Sequence, residues 1–365
     1  MSTPAESPST VPSPRGAVNT ARAGLVSMAG TVVQVLIQVV SLAVLARLLA
    51  PQDFGLYAMA MTFIGFSTLF KDMGLSAAAV QAKALSLQAR TNLFWINTGT
   101  GLVLALLAAA TAPLVEAFFR QDGVALVILL MSPTLLLAGL SVQYNATLQR
   151  EMRFVELTVI NVIGGLIGLA TSIAIALVWG GVWALTLPQL VSGVVTTAAV
   201  AARARWLPGR PRRDAGMRRL FGFGGGLFAA QLVTYHHRNL DAALMGRWHG
   251  AAWTGHLNRA TQVTRMPLGM LSAPFAQIAL SKMSRHQDDH ATLSRLMILG
   301  QKLQSYPLLL AGGALIAVAD QLVLVLLGPG WDEVGRFVRL VVVVEVFGIL
   351  PSAAGWLLSA RGMGR

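Results

Sequence analysis

Three arginines, Arg238, Arg259 and Arg265, lie within stretches that are otherwise apolar enough to cross a membrane. A charge at the bilayer centre costs about 2.5–3.5 kcal/mol on insertion scales, so such a residue is treated as functional by default. The planar guanidinium donates paired hydrogen bonds to carboxylates and phosphates, which favours an anionic ligand. Because a helix rises 1.5 Å per residue, Arg259 lies roughly 12 Å and Arg265 roughly 21 Å from the start of their segment at residue 251. Arg265 is therefore predicted to lie near mid-membrane and to face an anion.

Two structural interpretations of these arginines stay open. Arg238 precedes Asp241 by three residues on one helical face, so the two side chains could form an ion pair. Arg238 and Arg259 could also extend along their apolar stems to the outer interface. Anchoring of this kind does not explain Arg265, because its position is too deep.

Uncharged polar residues interrupt the same stretches and one near the N-terminus. They are Gln34 and Gln38 in the first stretch, His236, His237 and Asn239 beside Arg238, and Asn258 and Gln262 beside Arg259. Such side chains either line a polar cavity or form hydrogen bonds between packed helices. The two histidines are candidates for pH sensing or proton transfer, with interfacial polarity as the competing interpretation.

The elements that must position these residues are membrane helices. The chain of 365 residues is 55% hydrophobic and 12% charged, with a mean hydropathy of +0.64, whereas soluble domains are about 25% charged. Its apolar residues form blocks of about twenty, the length that crosses a hydrocarbon core as a helix. This pattern excludes a water-soluble enzyme and a disordered chain, and it predicts an all-α polytopic membrane protein.

The chain has no cysteine, so disulfides and thiolate sites are excluded. No catalytic residue, metal or cofactor is predicted.

About ten transmembrane helices are predicted, near residues 24–46, 55–72, 93–115, 123–147, 155–178, 181–203, 219–246, 251–280, 295–319 and 336–358. If the N-terminus is cytoplasmic, the inner segments hold twenty Lys and Arg residues and the outer segments hold five. This asymmetry follows the positive-inside rule and predicts a multi-pass protein with both termini cytoplasmic. It also explains the net charge of +13 through contacts with membrane lipids, without nucleic acid as a partner.

An arginine-rich connector divides the chain into two helical bundles. A weak repeat supports the division, because Arg47 and Gly55 align with Arg247 and Gly255 at an offset of 200 residues. Two similar bundles with a cavity between them are typical of transporters. The predicted parts are a disordered cytoplasmic tail (1–22), an N-terminal lobe of six spans (23–204), a cytoplasmic linker (205–217) and a partial C-terminal lobe of four spans (218–365).

Several strings along the chain resemble the Wzx-type polysaccharide flippases. The similarity runs from about residue 20 to the C-terminus, and the order of the motifs is more specific than any one of them. This family belongs to the multidrug/oligosaccharidyl-lipid/polysaccharide exporter superfamily, together with the multidrug and toxin extruders and the peptidoglycan lipid flippases. The strings are LARLLAPQDFGLYA (45–58), DMGLSAAAVQ (72–81), VQYNATLQREMRF (142–154), GVWALTLPQLVS (181–192), YHHRNLDAALMGRWHG (235–250) and SKMSR (281–285).

The resemblance implies two lobes around a central cavity that opens alternately to the two sides of the bacterial plasma membrane. It implies an undecaprenyl-diphosphate-linked oligosaccharide as cargo in exopolysaccharide or lipopolysaccharide biosynthesis. A polysaccharide polymerase and glycosyltransferases are then candidate partners. Such a cargo would require cationic and polar side chains that face a hydrated cleft. The candidates are Arg238, Arg259 and Arg265 for the diphosphate, and Gln34, Gln38, Asn239, Asn258 and Gln262 for the polar lining.

The resemblance also implies a departure, because members usually carry twelve or fourteen spans. Ten spans therefore predict a chain that is truncated within the second lobe. Two alternatives are an exporter of drugs or other small molecules from the same superfamily, and a non-functional remnant. The embedded arginines favour a polyanionic cargo over a cationic drug. A membrane enzyme is disfavoured, because the outer connectors are short and gather acids only at Asp332 and Glu333.

Overall fold

The computed structural model describes residues 14–72, 86–212, 217–285 and 289–349, and every regular element in these ranges is an α-helix. The prediction of an all-α fold is therefore confirmed. The helices are α1 (Pro14–Leu48), α2 (Pro51–Asp72), α3 (Leu87–Phe119), α4 (Val124–Met131), α5 (Pro133–Arg150), α6 (Phe154–Val178), α7 (Trp183–Ala204), α8 (Met217–His249), α9 (Ala251–Ser284), α10 (His290–Ala317), α11 (Ala319–Leu327) and α12 (Asp332–Ile349).

The boundaries of these helices follow from local sequence. Pro51 is the first residue of α2, where a missing N–H costs nothing. Gly250 joins α8 to α9 with a φ of 84°, a left-handed conformation that glycine adopts without strain. Pro133 begins α5 directly after α4, and the two together form one segment of membrane length, Val124–Arg150. Helices α10 and α11 meet at a bend of 73°.

With these two pairs merged, the described helices form ten segments, as predicted. By length and composition alone, six of the described segments are apolar enough to cross a membrane, or seven when the bent pair counts as one span. Helices α8, α9 and α12 are outside that set because polar and charged residues interrupt them. Helices of this composition are expected to face a bundle interior or a hydrated cavity rather than lipid.

The first bundle is held together by close helix packing at small residues. Gly101 of α3 and Gly139 of α5 face each other, and a methyl group at Gly139 would come within 2.5 Å of the Asn97 carbonyl oxygen. Helices α6 and α7 are joined where Ser192 donates a hydrogen bond of 2.9 Å to the Gly164 carbonyl. Small residues bring membrane helices together in this way where no hydrophobic driving force exists.

The two bundles meet where α2 crosses α9. A methyl group added at Gly55 would overlap the Ala251 carbonyl oxygen, and one added at Gly255 would overlap the Pro51 carbonyl oxygen. The contact is thus reciprocal and uses the two glycines that the sequence repeat aligns. The weak repeat therefore coincides with a reciprocal contact between α2 and α9.

A buried cluster closes the structure at this same end. The indole of Trp331 is 2% exposed; it donates a hydrogen bond of 2.8 Å to the Ala46 carbonyl and packs 5.5 Å from the ring of Phe54. Arg47 donates a hydrogen bond of 2.7 Å to the Val325 carbonyl. The cluster thus connects α1 and α2 to the second bundle, and we call it the closed end.

The predicted tail and linker are only partly described. Helix α1 begins at Pro14, so residues 14–22 are helical, whereas residues 1–13 lie outside the described ranges. Residues 205–212 run along α3, where Asn92 bonds both the carbonyl oxygen and the N–H of Arg212, at 2.6 and 3.0 Å. Trp95 donates a further bond of 2.8 Å to the Gly209 carbonyl. The start of the linker is therefore fixed to the first bundle.

Candidate functional site

A cavity of about 750 Å³ lies between the two bundles. Helices α1, α6 and α7 form its first-bundle walls, α2 contributes Tyr57, and α9 forms the opposite wall. The polar lining residues are Gln38, Ser41, Tyr57, Ser172, Gln189, Ser192, Asn258, Arg259, Thr261, Gln262 and Arg265. In the part of the chain that the structure describes, no carboxylate is among the lining residues, so the cavity is cationic.

Arg259 is the most deeply buried charge of this cavity, with 5% of its surface exposed. Its guanidinium carbon lies 3.9 Å from the centre of the Phe54 ring, and its Nη2 donates a hydrogen bond of 3.3 Å to the Asn258 side-chain oxygen. Its Nε is buried without a hydrogen-bond acceptor, and the described residues give it no ion-pair partner. A buried charge is normally paired with an opposite charge, so the Arg259 guanidinium is available to bind an anion.

Arg265 follows Arg259 by less than two turns on the same helix and has different partners. Its Nε donates a hydrogen bond of 2.5 Å to Glu345 Oε1 on α12, and its Nη1 donates one of 3.3 Å to the Arg238 carbonyl. The side chains of Arg265 and Glu345 are 35% and 24% exposed. In this state Arg265 is therefore neutralised by a carboxylate from the same bundle.

Amide and hydroxyl groups complete the cavity on both sides. Gln262 donates a hydrogen bond of 3.0 Å to the Asn258 side-chain oxygen on α9. On the opposite wall, Gln189 is hydrogen-bonded to the Tyr57 side chain, and Gln38 lies one helix away. These groups both donate and accept hydrogen bonds, which suits a ligand rich in hydroxyls.

Five of the residues predicted from sequence thus come together in the cavity: Gln38, Asn258, Arg259, Gln262 and Arg265. Gln34 lies one turn before Gln38 on α1 and is not among the lining residues. Which of these residues bind a ligand stays a prediction.

The polar run of α8 is placed elsewhere. Asn239 donates a hydrogen bond of 2.9 Å to the Tyr235 carbonyl of its own helix. The His236 ring contacts the Leu232 carbonyl at 3.0 Å and packs edge-on against Phe66 at 5.7 Å. His237 is exposed. None of these three side chains is among the residues that line the cavity, and His236 packs against Phe66 of α2 instead.

The pairing of Arg238 with Asp241 is not found among the described ion pairs. Asp241 instead accepts a hydrogen bond of 2.8 Å from the N–H of Ala242. Arg238 contributes its backbone carbonyl to Arg265, while its side chain is absent from the lining of the cavity.

A second cavity of about 380 Å³ adjoins the first and is mainly apolar. It lies between α8, α9 and α12, and its lining includes Asp241, Trp248, Leu257, Phe337 and Val341. Arg265 lines both cavities, and Glu345 lines the second. The Arg265–Glu345 ion pair therefore stands in the wall that the two cavities share.

Sequence reasoning missed Phe54 and Tyr57 as parts of the site. Both lie on α2 in an apolar context, where an aromatic residue is ordinarily assigned to the core. Only the crossing of α2 and α9 brings Phe54 under the Arg259 guanidinium. The sequence carries no local signal for that contact.

A polytopic helical protein with a polar cavity between two related bundles has the architecture of an alternating-access transporter. Solved structures share this fold. The fold is similar to the lipid II flippase MurJ in an inward closed conformation, with a TM-score of 0.74, 12% identity, and coverage of 93% of this chain and 76% of that one. It is also similar to an inward-facing multidrug resistance MATE transporter of the MOP superfamily, with a TM-score of 0.66, 14% identity, and coverage of 91% and 82%.

Sequence comparison assigns the chain to a family. Residues 44–336 match the family model described as polysaccharide biosynthesis protein, and the chain belongs to that family. It is 24% identical to the teichuronic acid biosynthesis protein TuaB of Bacillus subtilis, over 90% of this chain and 68% of that protein. It is 25% identical to the lipopolysaccharide biosynthesis protein WzxC of Escherichia coli, over 92% and 68%. The predicted resemblance to the Wzx-type family is thereby confirmed.

Proposed function

We propose that this protein flips an undecaprenyl-diphosphate-linked oligosaccharide from the inner to the outer leaflet of the bacterial plasma membrane. The names of its relatives support a role in building surface polysaccharides, since they include a lipopolysaccharide biosynthesis protein and a succinoglycan biosynthesis transport protein. The name of its structural neighbour, a lipid II flippase, supports a lipid-linked cargo. Transport of this kind requires no covalent chemistry.

The observation that carries the proposal is the buried guanidinium of Arg259, which faces a cavity without a carboxylate in the described residues. Moving a diphosphate through the membrane requires cations that replace its water. A guanidinium in a water-poor site binds phosphate oxygens by short, charge-assisted hydrogen bonds. The amide and hydroxyl groups of Gln38, Gln189 and Gln262 would receive the sugar hydroxyls.

The direction of transport follows from the predicted orientation. With a cytoplasmic N-terminus, α1 crosses outward and α2 begins on the outer side, so the closed end is the outer end. The cavity would then open toward the cytoplasm, where glycosyltransferases complete the cargo, and a polymerase would receive it outside. Rocking of the N-terminal lobe (23–204) against the C-terminal lobe (218–365), joined by the linker (205–217), would separate α2 from α9 and reverse the access.

An exporter of cationic drugs is disfavoured by the same cavity. Cations are bound by carboxylates, and the described cavity lining contains arginines instead. A polyanionic cargo is therefore favoured over a cationic drug for this fold.

The test is the substitution Arg259→Gln, assayed by complementation of a strain that lacks its own flippase. Arg259→Gln loses the contact with Phe54 but also removes a buried charge that has no ion-pair partner among the described residues. The variant should therefore still accumulate and should lose most polysaccharide export, by at least about tenfold. Arg203→Gln is the matched control, since Arg203 is 64% exposed and pairs with Glu156 outside the cavity. Full export by Arg259→Gln at wild-type protein level would contradict the proposal.

A further inference from the structure

We propose that Glu345 sets the specificity of the cavity by acting as an internal competitor for Arg265. Its carboxylate accepts a hydrogen bond from the guanidinium that a cargo anion would otherwise bind. Only an anion that binds Arg265 more strongly than a carboxylate displaces it, so a lipid diphosphate is accepted and a lipid monophosphate is rejected. This inference rests on the proposed function, because it concerns the same cavity and the same class of cargo.

The position of the ion pair is the first argument. Glu345 lies on α12 and Arg265 on α9, and the bond of 2.5 Å between them stands where the two cavities adjoin. Both partners line open space and keep 35% and 24% of their side chains exposed. An incoming ligand can therefore reach Arg265 without unfolding its surroundings.

The remaining hydrogen-bond capacity of Arg265 is the second argument. A guanidinium has five N–H donors, and the bonds to Glu345 and to the Arg238 carbonyl use two of them. The contact with Glu345 is through Nε alone rather than a two-pronged contact. A phosphate group that approaches from the first cavity can therefore form bonds before the carboxylate leaves, which allows exchange without an unpaired intermediate.

The contrast with Arg259 is the third argument. Both arginines line the same wall, yet Arg259 has no carboxylate partner in the described chain, whereas Arg265 has one. Any phosphate can be attracted by Arg259. Displacing Glu345 then costs additional free energy. A lipid monophosphate, with a charge of about −1.5 to −2 at pH 7, has only one phosphate group to offset this cost. A diphosphate brings more charge and more acceptor oxygens, so it offsets the cost more fully.

The experiment measures binding of undecaprenyl phosphate and undecaprenyl diphosphate to the purified full chain in detergent by native mass spectrometry. The wild type should prefer the diphosphate. In Glu345→Gln, affinity for the monophosphate should rise and the ratio of the two affinities should fall by roughly tenfold. The matched control is Glu333→Gln, which changes the same residue type on the same helix and breaks an exposed pair with Arg336 at 3.1 Å.

The outcomes separate this inference from the function on which it rests. An unchanged affinity ratio in folded Glu345→Gln overturns the inference, while loss of thermal stability without a change of ratio shows a structural role only and overturns it equally. If the wild type binds neither lipid, the proposed function fails instead. Should Glu345→Gln not fold, Glu345→Asp replaces it: the shorter side chain holds Arg265 less well, so a reduced ratio supports the inference and an unchanged ratio overturns it.

Discussion

At the scale of single residues, the aromatic face beneath Arg259 explains how this cation is stabilised where the described residues supply no carboxylate partner. Phe54 is fully buried, and its ring lies 3.9 Å from the guanidinium carbon. Cation–π contacts contribute about 2 kcal/mol or more when water is excluded. The ring also leaves the other side of the planar guanidinium available to a ligand.

This contact leads to a prediction for Phe54→Leu. This large-to-small change at a fully buried site should lower stability, and Arg259 loses its aromatic support and should bind cargo more weakly. We expect export to fall several-fold at equal protein level. Phe118→Leu is the control, because Phe118 is 52% exposed and lies 5.9 Å from Arg247 at the surface. Equal export by the two variants would contradict the role of Phe54.

The sequence marked some of the residues that line the cavity and missed others, because it does not determine how each helix is rotated about its axis. Polar residues in apolar helices mark candidates, and Gln38, Asn258 and Arg265 are among the residues that line the cavity. His236 and His237, which the same signal marked, are not among them. Composition does not fix the rotation of a helix, because that depends on which neighbours pack against it. Nor could it assign the partner of Glu345, which is 80 residues away on another helix.

At the scale of elements, the crossing of α2 and α9 requires glycine on both helices. An added carbon at Gly255 would overlap the Pro51 carbonyl, and this atom is backbone that cannot rotate away. The sequence repeat indicated that Gly55 and Gly255 are equivalent. The sequence did not predict the reciprocal contact at these two glycines, because an alignment at an offset of 200 residues gives no information about which helices are in contact.

Gly255→Ala should therefore destabilise the protein even though alanine favours helices by up to about 1 kcal/mol. We expect a lower melting temperature in detergent and reduced export. Gly269→Ala on the same helix is the matched control, since the described residues place nothing within 4 Å of the added carbon. That variant should be neutral or slightly more stable. If both variants melt at the same temperature, the close approach is not required.

At the scale of the whole molecule, the described ranges form one assembly that is sealed at one end. Composition predicted the helical class and about ten segments, because apolar blocks of membrane length leave few alternatives. Composition did not predict which end of the cavity is closed, because the contacts of Trp331 with Ala46 and Phe54 join residues that are far apart in the chain.

The chain contains no cysteine, so single cysteines report access directly. Gln189→Cys, which faces the cavity, should react with a membrane-impermeant thiol reagent in inside-out vesicles and not in right-side-out cells. Asp122→Cys, in the loop between α3 and α4, should react only from outside, and Arg210→Cys only from inside. Reaction of Gln189→Cys from outside alone would contradict the proposed orientation of the closed end.

The uncompensated charge of Arg259 has a consequence for the electrical tightness of the membrane. A hydrated vestibule that reaches far into the bilayer is a route along which sodium ions or protons could leak. Repulsion between a cation and a fixed positive charge 8 Å away amounts to about 2 kcal/mol at an effective dielectric constant of 20. By the same repulsion, Arg259 would also hinder cations from passing through the cavity, and it would thereby help to maintain the ion gradients across the membrane.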